Sequence, residues 1–220
     1  MSKQYLIVEG YFDKLFYSSL LPKIGRKDIN ITTPNRNGTG YNGKHNAIDL
    51  CCKLIDQMLD GSIDKIGLII DSDFNDISSQ GFVNSLDYIK AKLSDKGFDI
   101  KTKPVKYNDG LHFYHSGLNK DIALWLMPDN KNDGYLEYLL FEALTETKSD
   151  LTAEAIQIIS SLKNKEYPSH HECKAKLAIA MSMLDNPGRN ITHLIEKDIV
   201  NLHANKKMDK LLNFLTTYFN

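Results

Sequence analysis

Cysteine is scarce in this chain: three in 220 residues, Cys51, Cys52 and Cys173, with no Cys-x-x-Cys pair among them. That argues against a disulfide framework and suits reduced thiols packed in the core of a cytoplasmic protein. Excess charge is missing too. With 27 lysines and arginines against 28 aspartates and glutamates, the formal net charge is −1, so the chain as a whole lacks the basic bias that marks many nucleic-acid binders, and only local patches remain open to that role. Long apolar runs are also absent. The first, Tyr5-Leu6-Ile7-Val8, stops at Glu9, too short for a signal peptide, and no later run approaches the roughly 20 residues of a membrane span. The expectation is a soluble, cytoplasmic chain with no membrane partner. Internal repeats and low-complexity linkers are not visible, and 42% hydrophobic residues suit one globular domain, or one domain with an appended lobe.

What the sequence does have is apolar runs that end in acids. Tyr5–Val8 reads as a strand buried on both faces; Glu9 ends it, Gly10 permits a tight turn, and Phe12, Leu15, Phe16 and Leu20 follow at helical spacing. A second strand, "DINITTP", is rich in β-branched residues and stops at Pro34. The loop "NRNGTGYNGKHN" then precedes a helical pattern through Ile48, Cys51, Leu54, Ile55 and Met58. This loop reads either as a plain connection or as a phosphate cradle with backbone contacts at Gly38 and Gly40, although it fits neither the P-loop nor the full dinucleotide fingerprint. The third strand, "KIGLIIDSDFND", runs through Ile66–Ile70 into Asp71 and Asp73. A helix from about Phe82 to Leu93 is followed by "DIKTKPVKY" and an Asn108-Asp109-Gly110 turn able to close a hairpin. Its lysines, Lys101, Lys103 and Lys106, read as a solvated strand face or as contacts to a phosphate backbone. The strand "DIALWLMPDN" ends at Pro128 with Asp129 behind it.

From about Gly134 onward only helical patterns remain. Strands alternating with helices, then helices alone, predict an α/β fold: a mostly parallel, Rossmann-like sheet flanked by helices and carrying a helical C-terminal lobe. The expected division is an α/β domain at residues 1–145 and a helical extension packed on it at 146–220.

Parallel strands joined by right-handed crossovers bring their carboxyl ends to one side, so Glu9, Asp71, Asp73 and Asp129 are expected to converge. Two like charges about 4 Å apart repel by roughly 4 kcal/mol at an effective dielectric near 20. Such a cluster therefore implies a bound cation or shifted pKa values, and oxygen-only ligands suit Mg²⁺ or Mn²⁺.

The segments "LIVEGYFD" and "LIIDSDFND" resemble the two signatures of the Toprim superfamily, the acidic metal-binding domain of topoisomerases, bacterial primases and OLD-type nucleases. The resemblance covers roughly residues 4 to 142. It implies a Toprim-like fold in which Glu9 serves as general acid or base and joins Asp71 and Asp73 at the metal. Asp13 matches an additional acid common in OLD-like members. The stretch "LWLMPDNKNDGYLEYLL" is similar to a motif of a small group of stand-alone Toprim-like proteins, which adds Asp129, Asn130, Gly134 and Glu137. Within these 220 residues no tyrosine-nucleophile domain, zinc ribbon or ATPase domain is expected beside these motifs.

Plainer roles stand beside these. Asp13 and Glu137 could complement helix dipoles, and Asp129 and Asp76 suit turns. His112, His115, His170 and His171 read as structural or surface residues, Trp125 as core, and Tyr11 as a packing residue. Two functions remain open: a Mg²⁺- or Mn²⁺-dependent nuclease acting on DNA or RNA, or a module that binds nucleic acid, a nucleotide, a protein partner or a second copy of itself with little turnover. A phosphatase or nucleotide-sugar transferase fits less well, because neither accounts for the Val8-Glu9-Gly10 element.

Overall fold

The runs at residues 5–8, 29–32, 66–70 and 122–127 become strands where their composition predicts, and two further strands join them among the described residues. In the computed structural model, which describes residues 3–34, 43–74, 80–100 and 110–220, they are β1 (Gln4–Val8), β2 (Ile29–Thr32), β3 (Lys65–Asp71), β4 (Phe98–Ile100), β5 (Leu111–His115) and β6 (Asp121–Met127). Helices α1 (Tyr11–Lys23), α2 (Lys44–Leu59) and α3 (Phe82–Ser94) alternate with the first strands. They are followed by α4 (Leu136–Thr147), α5 (Ser149–Ser161), α6 (Glu172–Ser182), α7 (Thr192–Glu196) and α8 (Lys206–Tyr218). Gly38, Gly40, Lys101, Lys103, Lys106 and Asp76 lie outside the described residues.

The strands form one sheet in the order β2-β1-β3-β6-β5-β4. β2, β1, β3 and β6 pair in parallel, whereas β4 with β5 and β5 with β6 pair antiparallel. The sheet is thus mixed, and the expected mostly parallel arrangement describes its β2-to-β6 half. Chain length explains the difference. Only residues 116–120 separate β5 from β6, too few for the crossover that a parallel pair requires.

Side chains of successive strand residues point to opposite faces, and the central strands bury both. Leu6, Val8, Ile69, Trp125 and Met127 pack with α1, α4 and the C-terminal helices. Ile7, Leu68, Ile70, Leu124 and Leu126 pack with α2 and α3. The last helix belongs to the first of these cores: Phe214, Leu215, Tyr218 and Phe219 are all buried there. The Tyr218 hydroxyl lies 3.0 Å from the carbonyl oxygens of Ile66 in β3 and Asp121 in β6. Phe219 occupies the space above Gly67, where a Cβ would come within 2.7 Å of its Cζ. No helix among the described residues is long and apolar enough to cross a membrane.

Candidate functional site

β1, β3 and β6 are neighbours in parallel register, with Val8 opposite Ile69 and Asp71 opposite Met127. Their carboxyl ends therefore share one edge, and the chain leaves each at an acid or just before one. Glu9 turns back toward β3, where its Oε1 accepts the Asp71 backbone N–H at 2.8 Å. One turn into α1, Asp13 returns Oδ2 to the Gly10 N–H at 2.9 Å, satisfying a helix-end donor. Asp71 in turn accepts the Leu136 N–H on Oδ1 at 3.1 Å, tying the end of β3 to the start of α4.

The loop after β6 is fastened to the same edge. Asp73 takes the left-handed conformation, φ 59°, which Asp tolerates better than most residues. Two backbone hydrogen bonds hold it there, Asp73 N–H to Gly134 O at 2.9 Å and Gly134 N–H to Asp73 O at 2.8 Å. Gly134 itself has φ 148°, and any Cβ there would approach Pro128 Cδ to 3.1 Å, so the motif needs a glycine at this point. Between the two aspartates, the buried Ser72 hydroxyl donates to Met127 O at 2.7 Å and accepts the Gly134 N–H at 2.8 Å.

A lysine enters this edge. Lys44 Nζ reaches Asp73 Oδ2 at 2.9 Å, Ser85 Oγ at 2.9 Å and Ser72 O at 3.1 Å. Opposing it, five acids lie within one another's fields. Burial first, then the Asp73 charge, pushes Glu9 up to about 8, against the Asp71 N–H and Lys44, which pull it down. Burial drives Asp71 well above the carboxylate range, reinforced by Glu9, Asp13, Glu137 and Asp73. Asp13 rises to about 6 through burial and the charge of Glu137. Glu9, Asp13 and Asp71 also line a cavity of about 10 Å³ together with Tyr17. The Tyr17 hydroxyl is fully buried and has no hydrogen-bond partner among the described residues, an arrangement that normally costs about 1–3 kcal/mol.

Of the acids named from sequence, then, Glu9, Asp13 and Asp71 share one cavity, and the charges of Asp73 and Glu137 act on them. Asp129 does not turn toward them. Its carboxylate accepts from Asn132 N–H at 2.9 Å and Asn132 Nδ2 at 2.7 Å, and lies 3.7 Å from Lys207 Nζ of α8. Tyr11 is 57% exposed, contrary to the expectation that it packs: it stands with the exposed Phe12 on the solvent side of the first turn of α1. His171 stands where Glu137 and Asp73 act on it, although burial, His170 and Lys174 outweigh them and lower its pKa.

Among the described residues, no three His, Cys, Asp or Glu side chains meet with ligand geometry. Glu9, Asp13 and Asp71 each turn one oxygen to a backbone N–H, and Asp73 turns one to Lys44. The donor set nonetheless fits a hard divalent cation. It is built of carboxylate oxygens, raised in pKa by burial and then by mutual repulsion that a cation would relieve, and it adjoins an unpartnered hydroxyl.

Sequence reasoning overlooked Lys44, Ser72 and Tyr17. Two of them left a signal. Tyr17 stands four residues after Asp13 and hence on the same face of α1. Lys44 opens α2, where the helix dipole disfavours a cation unless an anion lies opposite.

No curated protein and no solved structure matches the chain. Sheet, acid cluster and C-terminal helices all fall within residues 3–220, which match the model of the family described as "Protein of unknown function (DUF3226)", and the chain belongs to that family.

Proposed function

We propose that this protein is a Toprim-like, Mg²⁺- or Mn²⁺-dependent enzyme that cleaves phosphodiesters in DNA or RNA. The observation that carries this reading is the bond from Asp71 N–H to Glu9 Oε1, which joins the acid-bearing ends of adjacent parallel strands inside a field of five carboxylates. Glu9, Asp71 and Asp73 would hold the ion, with Asp13 and Glu137 close by. Bound there, a divalent ion supplies orientation of the phosphate and neutralisation of charge developing on it.

The chain's own groups have separable tasks. Glu9 keeps Oε1 on the Asp71 N–H, leaving Oε2 to carry the proton that a general acid delivers to a leaving oxygen. Leu136 N–H holds the Asp71 carboxylate and Gly134 holds the Asp73 backbone, which supports their role as ligands. Lys44 balances the Asp73 charge. Three free cysteines, one of them buried, suit work in the reducing cytoplasm.

The test is cleavage of single- and double-stranded DNA and RNA with Mn²⁺ or Mg²⁺, run beside a binding assay. Glu9→Gln retains size and one oxygen, so it is expected to keep binding while losing about 10² to 10⁴ in rate, the usual contribution of a general acid or base. Wild-type protein that binds these substrates with metal yet cleaves none of them would replace this reading with that of a nucleic-acid-binding module.

A further inference from the structure

Beside the acid cluster lies a groove that the chemistry above leaves unused. The first turn of α1, directly after Glu9 and Gly10, presents two aromatic rings to solvent: Tyr11 is 57% exposed and Phe12 66%. Their centroids are 6.0 Å apart, edge to face. Aromatic side chains carry a large burial energy, and leaving two neighbours in water forgoes it unless a ligand covers them. Phe12 lines a groove of about 460 Å³ with Leu177 and Met181 of α6, Lys174, Arg189 and Glu137. Glu137 is shared, since its charge acts on Asp13 and Asp71 in the acid cluster. Phe12 and Glu137, which line the groove, are chain neighbours of Asp13 and Leu136, which line the acidic cavity, so groove and cavity lie side by side.

Its charges select the occupant. Lys174 Nζ lies 3.8 Å from Glu137 Oε1 and 4.4 Å from the Tyr135 ring centroid. Arg189 is exposed and has no acidic partner among the described residues. A flat, largely apolar group that carries an anion satisfies this surface: its ring covers Phe12 and the aliphatic wall, and its negative charge meets the two cations. The volume lies within the range of small-ligand sites. A base in a duplex is already stacked on its neighbours, so only an unpaired one can occupy the aromatic face.

Building on the nuclease reading, we propose that the groove binds an unpaired nucleotide of single-stranded nucleic acid, its base stacked on Phe12 and its phosphate held by Lys174 and Arg189. The adjoining phosphodiester is then presented to the acids. The substrate is accordingly single-stranded, or has a single-stranded end or loop.

The test is fluorescence anisotropy with Mg²⁺, using wild-type and Glu9→Gln protein and four labelled probes of equal length. These are oligo-dT, oligo-rU, a base-free strand of the same charge, and a DNA duplex. Phe12→Ala, at an exposed position, is expected to weaken oligo-dT and oligo-rU binding about tenfold or more while leaving the duplex and base-free strands within twofold. Phe12→Trp should restore it. Arg189→Ala should weaken all strands and reduce the salt dependence by about one charge. If Phe12→Ala binds oligo-dT and oligo-rU like wild type, or the base-free strand binds as tightly as these two, the stacking proposal is wrong. Metal-dependent cleavage that survives in that variant would leave the nuclease reading standing. If no probe binds wild type, both fall.

Discussion

Burying Glu9 among other acids makes the stability of the metal-free protein depend on pH, and Glu9→Gln should remove much of that dependence. The folded value is about 8 against 4.5 for the ordinary carboxyl. Below pH 4.5 the side chain is protonated whether the chain is folded or not, so its contribution to stability is fully present. Between 4.5 and 8 the unfolded chain ionises while the folded one resists, and stability falls as pH rises; above 8 both are ionised and the loss is complete. At 1.36 kcal/mol per pH unit, this window corresponds to a loss on the order of 5 kcal/mol. Glutamine keeps an oxygen for the Asp71 N–H, now accepted at 2.8 Å, and cannot ionise. Urea denaturation in EDTA at pH 5, 7 and 9 measures the effect. The variant should gain on wild type by several kcal/mol between pH 5 and 9, while Asp13 and Asp71, shifted in the same direction, still cause some decline in both. Parallel pH profiles for the two proteins would refute the claim that Glu9 sits in a desolvated, like-charged cluster.

The remaining predictions concern the ion, the lysine and the C-terminal helix. Mg²⁺ at about 100 times its dissociation constant should stabilise wild type by roughly 2.7 kcal/mol, read as a rise in melting temperature; the double variant Asp71→Asn with Asp73→Asn should show no rise. Lys44→Met should destabilise the metal-free protein by about 1–3 kcal/mol, since it strands Asp73 and removes the donor to Ser72 O and Ser85 Oγ. Added Mg²⁺ should recover part of that loss in a thermal melt. Gly67→Ala forces a Cβ to within 2.7 Å of Phe219 Cζ in the buried core, and should cost about 1–3 kcal/mol in chemical denaturation. An unchanged midpoint would mean that the chain end is not packed against β3.

The elements themselves were legible in the sequence, because hydrophobic periodicity and chain breakers act over a few residues: the apolar runs at Leu6, Leu68 and Leu124 could bury both faces only as central strands. The helical segments after Gly134 were legible for the same reason. So were Glu9, Asp71 and Asp73, since an acid that closes a buried strand marks its carboxyl end. What tertiary structure decided is which groups meet there. Asp129 looked equivalent to the other strand-end acids, yet the turn at Asn132 and Lys207 from a distant helix engage it. Local pattern puts Tyr17 on the helix face of Asp13 and an unbalanced cation at Lys44, but only the folded chain shows that Lys44 pairs with Asp73 and that Tyr17 lines the acidic cavity. Strand order was undetermined as well, because β5 owes its antiparallel place to the shortness of its link to β6. Local pattern sets what each segment can be, whereas burial, charge pairing and pKa depend on neighbours that only the folded chain brings within a few ångströms.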